Sequence, residues 1–263
     1  MMSMKFNSQI RQQMAADRGP LLDKFEAITE RLKQNSSITL IWEPLGKDEH
    51  DLYDYYLDVL SVVYLNKYYS LCQGLIEALN TENYLIYGLI GRAMIEHTAI
   101  LRYYLTSKML PLVEMALADG KVTSEEVQEI IPWLEKHLTG NRFEWNIFLA
   151  DYFDELDNIQ SGHILKNSQV NVITCLEKWI KEDQSITHLY ELFSDLVHPN
   201  LGSTLMISRL TDNQIGIGGN EGKPIGLEIV NRTFSKLLKI FEEVQYQLIQ
   251  IKEFKFSKVL RVY

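Results

Sequence analysis

Cysteine is nearly missing. Cys72 and Cys175 are the only two in 263 residues, and no CxxC occurs. A disulfide framework and a zinc knuckle are thereby excluded, and both thiols read as small buried side chains of a reduced, cytoplasmic protein. No clean apolar run is present either. The longest, Tyr84 to Leu105, is interrupted by Arg92, Glu96, His97 and Arg102, so no membrane span is expected. Met1 to Lys33 holds no apolar stretch of the secretory kind. Positive charge is in deficit: 26 basic side chains stand against 35 acidic ones, a net charge of −9. That argues against a surface that coats nucleic acid, though not against one local basic site. His50, His137, His163 and His188 have no ligand spacing with a carboxylate cluster, so no metal and no cofactor is expected. Repeats and low-complexity linkers are absent.

What is present is helical periodicity. Apolar residues make up 46% and charged residues 23% of the chain, globular values that need no disulfide or metal to support a core. Helices are expected over about 7–34 (broken near Gly19-Pro20), 48–79, 82–106, a short one from there to Ala118, another opened at 123–126, and 141–156, 169–181, 185–198 and 227–251, with Thr81 capping the third. Thr123-Ser-Glu-Glu126 reads as a capping box. Ser36–Leu45 is β-branched and stopped by Pro44, so it reads as a connector or edge strand. Alternation in Ser203–Arg209 and Gln214–Ile217 predicts a small β-hairpin near residues 203–217. The expected architecture is an all-α multi-helix bundle carrying that hairpin, with residues 1–46 as an N-terminal helical arm and 47–263 as the bundle domain; the alternative is a bundle that carries Leu110–Asn158 as a subdomain.

Three motifs fail on their chemistry. Gly216–Pro224 is glycine-rich, but Ile217 and Pro224 occupy positions where a phosphate loop needs glycine and a hydroxyl. Asp119–Glu126 matches the back half of a calcium loop, yet Met115 and Leu117 stand at the first ligand positions. Ser194, Asp195 and His198 contain the elements of a hydrolytic triad, but they fall within little more than one helical turn and have no nucleophile elbow around them.

The polar residues inside the most apolar helix carry more. Leu85, Leu89, Arg92, Glu96, Ala99 and Tyr103 follow steps of four and three, so one stripe bears both Arg92 and Glu96, a turn apart. A helix apolar on nearly every side is normally buried, and buried charges must be paired. Arg92 and Glu96 are therefore expected inside the bundle, bonded to each other, so that removing either lowers stability markedly. Ser185–His198 would supply further partners: Tyr190 and Ser194 within the bundle, and His198 at the rim. The plain alternative is a structural ion pair with no further role.

The segments NTENYLIYGLIGRAMIEHTAILRYYL (80–105) and LYELFSDLVHPNLGS (189–203) resemble a group of all-helical bacterial proteins with an R-x-x-x-E helix and a later Y-x-x-x-S-x-x-x-H-P segment. Some relatives of that group are regarded as HEPN-like, and many HEPN proteins belong to toxin–antitoxin or phage-defence systems. The resemblance covers about a quarter of the chain. It implies a helical bundle, a homodimer, an antitoxin or other protein partner, and Arg92, Glu96, Tyr190, Ser194 and His198 as the binding positions. HEPN ribonucleases carry R-x(4–6)-H, and Arg92 with His97 meets that spacing. The implied alternative is metal-independent RNA cleavage across a dimer, with His97 as general base and Arg92 stabilising the phosphate. Five helical steps rotate His97 about 140° from Arg92, and Ala93 stands where a polar residue is common. The third reading is a small-ligand or protein-interaction module.

Overall fold

A computed structural model describes residues 5–14, 16–36, 49–111, 114, 124–139, 170–211, 214–217, 222–253 and 255. The expected helix at 141–156, the connector at 36–45 beyond Ser36, the calcium-loop segment and most of the glycine-rich loop lie outside the described residues. The helices are α1 (Ser8–Gln13), α2 (Gly19–Ser36), α3 (Glu49–Asn80), α4 (Tyr84–Tyr104), α5 (Ser124–Thr139), α6 (Val172–Glu182), α7 (Ser185–Val197), α8 (Leu201–Ile207) and α9 (Lys223–Glu253). The architecture is an all-helical bundle. No helix among the described residues is long and apolar enough to cross a membrane.

Helix α4 is the element the others surround. It packs on α3, α6, α7 and α9, as expected of a segment whose buried residues recur on three sides: Tyr87, Met94, Ile95, Thr98, Ala99 and Leu101. Its Thr98 and Tyr87 hydroxyls are satisfied within the core. Tyr68 of α3 donates to the Met94 carbonyl at 2.9 Å and is hydrogen-bonded to Thr98, while Tyr87 meets Thr233 of α9 at 2.9 Å. The tyrosines Tyr53, Tyr64 and Tyr68 of α3 are therefore core residues.

Helices α6 and α7 run antiparallel to α4 as one broken rod. Along it Leu196 lies against Gly88, Phe193 against Gly91, Tyr190 at Arg92, Glu182 at Arg102 and Lys178 over Tyr103. Gly91 permits this close approach, since a Cβ there would stand 2.6 Å from the Phe193 ring. Gly226 does the same for α9, where a Cβ would fall 2.2 Å from Tyr84.

The N-terminal helices share the same core. Phe6 and Phe25 cluster with Phe234 and Phe241 of α9 at centroid distances of 5.2–5.9 Å. Gly19-Pro20 opens α2 rather than breaking it, because proline fits a first turn whose amides are unpaired in any case. The break falls before it, at the short 3-10 turn Ala16–Arg18.

Three local expectations are corrected. The cap of α4 is Asn83, whose side chain accepts from the Ile86 amide at 3.1 Å. Thr81 instead donates back to Glu77, finishing α3. Between them Glu82 takes a left-handed φ of 53°, held there by Lys223 at 2.5 Å and Gln13 at 2.7 Å on its carboxylate. The hairpin expected over 203–217 fails for most of its first arm: Leu201–Ile207 are helical, because Asn200 caps them through the Ser203 amide at 3.0 Å. Only four-residue segments pair beyond it, Ser208–Thr211 with Gln214–Ile217 in antiparallel register, and they add no layer to the bundle. The final helix begins at Lys223 rather than Leu227, with Pro224 again in a first turn.

Candidate functional site

The stripe on α4 and the apolar face of α7 do meet. Arg92 Nε donates to Glu96 Oε1 at 2.8 Å, and its Nη2 reaches the Tyr190 hydroxyl at 3.4 Å. That hydroxyl donates to Glu96 Oε1 at 3.1 Å, closing a three-membered network. The guanidinium carbon also lies 5.5 Å from the Tyr190 ring centroid, within cation–π range. Glu96, first of all through its hydrogen bond, raises the Arg92 pKa further above its ordinary value.

The other two expected partners are not in the network. The Ser194 hydroxyl is buried without a hydrogen-bond partner. His198 is exposed, with its main chain ending α7 in extended conformation. Asp195 is taken by the Asn200 amide, so the Ser194–Asp195–His198 set forms a helix-end turn and not a triad.

The burial expected of Arg92 and Glu96 is also corrected. Each side chain keeps 27% of its surface. The reason lies in the neighbours: the α4 face between α3 and α7 has no covering helix among the described residues, and Leu89 (38%) and Ile86 (37%) are exposed on it. A half-exposed i,i+4 pair contributes little, because solvent screens it. Arg92→Ala or Glu96→Ala is therefore expected to change unfolding free energy by about 1 kcal/mol or less, read by urea denaturation, rather than by the several kcal/mol of a buried pair.

His97 points away from this network, toward α3. Its ring meets Tyr64 edge-on at 6.5 Å. Beyond it, His137 of α5 sits 4.3 Å from the Tyr104 ring and 5.5 Å from the Tyr64 ring. Burial, with Lys67 nearby, lowers the His97 pKa to about 4. Burial, then Lys67 and His97, lowers that of His137 to about 3. His137 Nδ1 and the Tyr104 hydroxyl have no hydrogen-bond partner. Both imidazoles are neutral at pH 7. A base with a pKa near 4 has little drive to remove a ribose proton, and within one chain His97 does not converge with Arg92.

His137 had no ligand spacing to mark it. Its visible sign was different: Val127, Ile130, Ile131, Leu134 and His137 recur at helical spacing, which puts the imidazole on the buried stripe of α5. Among the described residues no group of three or more histidine, cysteine, aspartate or glutamate side chains could hold a metal ion. No family model matches this chain, and no curated protein or solved structure matches it either.

Proposed function

We propose that this chain is a HEPN-like helical protein of the bacterial defence or toxin–antitoxin kind that works by protein recognition, and that the open face of α4 pairs two copies of it. The observation that carries the reading is a polar trio flanked by exposed aliphatics: Arg92, Glu96 and Tyr190 pre-ordered by their own hydrogen bonds, with Leu89 and Ile86 beside them. Tyrosine and arginine fixed in place beside apolar contacts are what protein interfaces concentrate their binding energy on. Support for the HEPN likeness comes from the side-by-side packing of the two segments that carry it, 80–105 and 189–203, through Gly88, Gly91 and Arg92.

The test is the oligomeric state. Sedimentation equilibrium on the intact chain should give a dimer, and Leu89→Asp, on an exposed position, should give a folded monomer with unchanged circular dichroism. A wild-type monomer at concentrations well above micromolar would overturn the reading. So would cleavage of RNA in EDTA that His97→Ala abolishes, since that outcome belongs to a ribonuclease built from Arg92 and His97 across the dimer.

A further inference from the structure

Helix α4 leaves one stripe unburied along its whole length. Ile86, Leu89, Ala93, Glu96, Ile100 and Tyr103 follow steps of three, four, three, four and three, and each is exposed or half-buried. The residues between them that face α3, α7 and α9, such as Tyr87, Gly88, Gly91 and Thr98, are buried. Alternating steps of three and four make the seam by which one helix packs lengthwise on another.

Two polar groups beside this seam are left over. Glu96 Oε1 accepts from both Arg92 Nε and the Tyr190 hydroxyl, so Glu96 Oε2 has no hydrogen bond among the described residues. Arg92 uses Nε and Nη2, so its Nη1 has none either. The network therefore offers one charged donor and one charged acceptor, a turn apart. Such a pair is self-complementary, which is what a two-fold contact between identical chains requires.

Helical rise fixes the register. At about 1.5 Å per residue the stripe is about 26 Å long, and its middle falls between Met94 and Ile95. A second α4 running antiparallel about a two-fold axis at that level overlaps the entire stripe. Ile86 then meets the partner's Tyr103, Leu89 meets the partner's Ile100 and Ala93 meets the partner's Glu96, and the same three layers recur in reverse. Ala93 is small enough to admit the carboxylate opposite it. Arg92 lies only about 1.5 Å along the seam from the partner's Glu96. The two-fold axis keeps both such pairs on one side, the side of α7. A parallel pair would instead stack Glu96 on the partner's Glu96, like charges in one layer.

We propose that two copies of this chain pair antiparallel along α4, about an axis level with Met94 and Ile95, with Arg92 Nη1 of each donating to Glu96 Oε2 of the other. Ile86, Leu89 and Ile100 supply the apolar layers. The four charges close into one neutral, alternating cluster. This rests on the pairing through the α4 face put forward above, and adds its orientation, its register and the bonds that select them.

The test is disulfide trapping in the full chain, with Cys72 and Cys175, both buried, left in place. Leu89→Cys/Ile100→Cys should link into covalent dimers under mild oxidation. Neither Leu89→Cys nor Ile100→Cys alone should link, because each position lies about 16 Å along the seam from its own copy. Arg92→Glu and Glu96→Arg, both at half-exposed positions, should stay folded by circular dichroism, and each should weaken the dimer about tenfold or more. An equimolar mixture of the two should restore it, since each then meets opposite charges. A wild-type dimer in which Leu89→Cys links by itself, or the double variant does not link, overturns the register while the pairing stands. A mixture no tighter than its components overturns the Arg92–Glu96 exchange. A wild-type monomer overturns the pairing and this geometry together.

Discussion

Phe193→Ala should cost about 3–5 kcal/mol of unfolding free energy, among the largest effects of any single substitution on the α4–α7 contact. Phe193 is fully buried. Its ring covers Gly91 and meets Tyr87 edge-on at 5.8 Å. Truncation leaves a cavity that glycine cannot fill from the opposite side. Gly91→Ala tests the same contact in reverse: its new methyl would lie 2.6–3.0 Å from three atoms of that ring. Overpacking of this kind costs about 1–3 kcal/mol, against a gain of about 1 kcal/mol from helix propensity. The two changes should not add, because the methyl occupies part of the space the ring vacates. Chemical denaturation of both single variants and the double variant measures this. Strict additivity would mean that Phe193 and Gly91 do not form one contact. Because Phe193 sits one turn from Tyr190 on α7, the Phe193→Ala variant should also loosen the Arg92–Tyr190 bond, which any assay of pairing through the α4 face would register.

The helical architecture was legible because helical periodicity is dense in this chain. The steps through Leu85, Leu89, Arg92, Glu96, Ala99 and Tyr103 lie on one side of α4, and Tyr190 does arrive beside Arg92. How deeply that side is buried was not legible. An all-round apolar helix looks fully surrounded in sequence, yet Ile86 and Leu89 contribute to that impression while facing outward. Composition records which residues could be covered, not whether a neighbour covers them. The participation of Ser194 and His198 failed for a related reason: helical phase places a residue to within a quarter turn, whereas a hydrogen bond demands about an ångström. The Ser203–Ile207 segment alternates like a strand, but Asn200 bonds the Ser203 amide and starts a helix, a local polar contact that overrides hydrophobic alternation.

The packing of α5 against α3 and α4 sets the largest expected response to pH, through His97 and His137. Their neighbours are Tyr64 and Lys67 of α3, Tyr104 of α4 and each other. No carboxylate is among these groups to compensate an imidazolium. Both folded pKa values lie below the ordinary 6.5, at about 4 and about 3. The sign follows from which state holds more protons. Between about pH 6.5 and 4 the unfolded chain binds protons at both histidines that the folded protein refuses, so stability falls as pH falls. At pH 5 the loss should be about 1–2 kcal/mol per histidine, allowing for the solvent contact each ring retains. Carboxylates such as Glu82 and Asp183, whose folded pKa values are lowered by their partners, starting with Lys223 and Ser185 respectively, act in the same direction but mainly below their ordinary range near 4. The window from pH 7.5 to 5 therefore isolates the histidines. Thermal melts across it should show a steep fall for the wild type and a nearly flat line for His97→Gln/His137→Phe, in which a ring of similar size keeps the Tyr104 and Tyr64 contacts. Parallel falls in the two proteins would mean that the histidines titrate freely. Hydrogen exchange should place the first opening at α5, which His137 ties to Tyr104, Tyr56 ties through Glu135 at 2.7 Å, and Val127 and Leu134 anchor in the core. Protonation of His137 buries a charge against α3 with no carboxylate to pair it, and the least costly response is for α5 to lift away and let the imidazolium reach water.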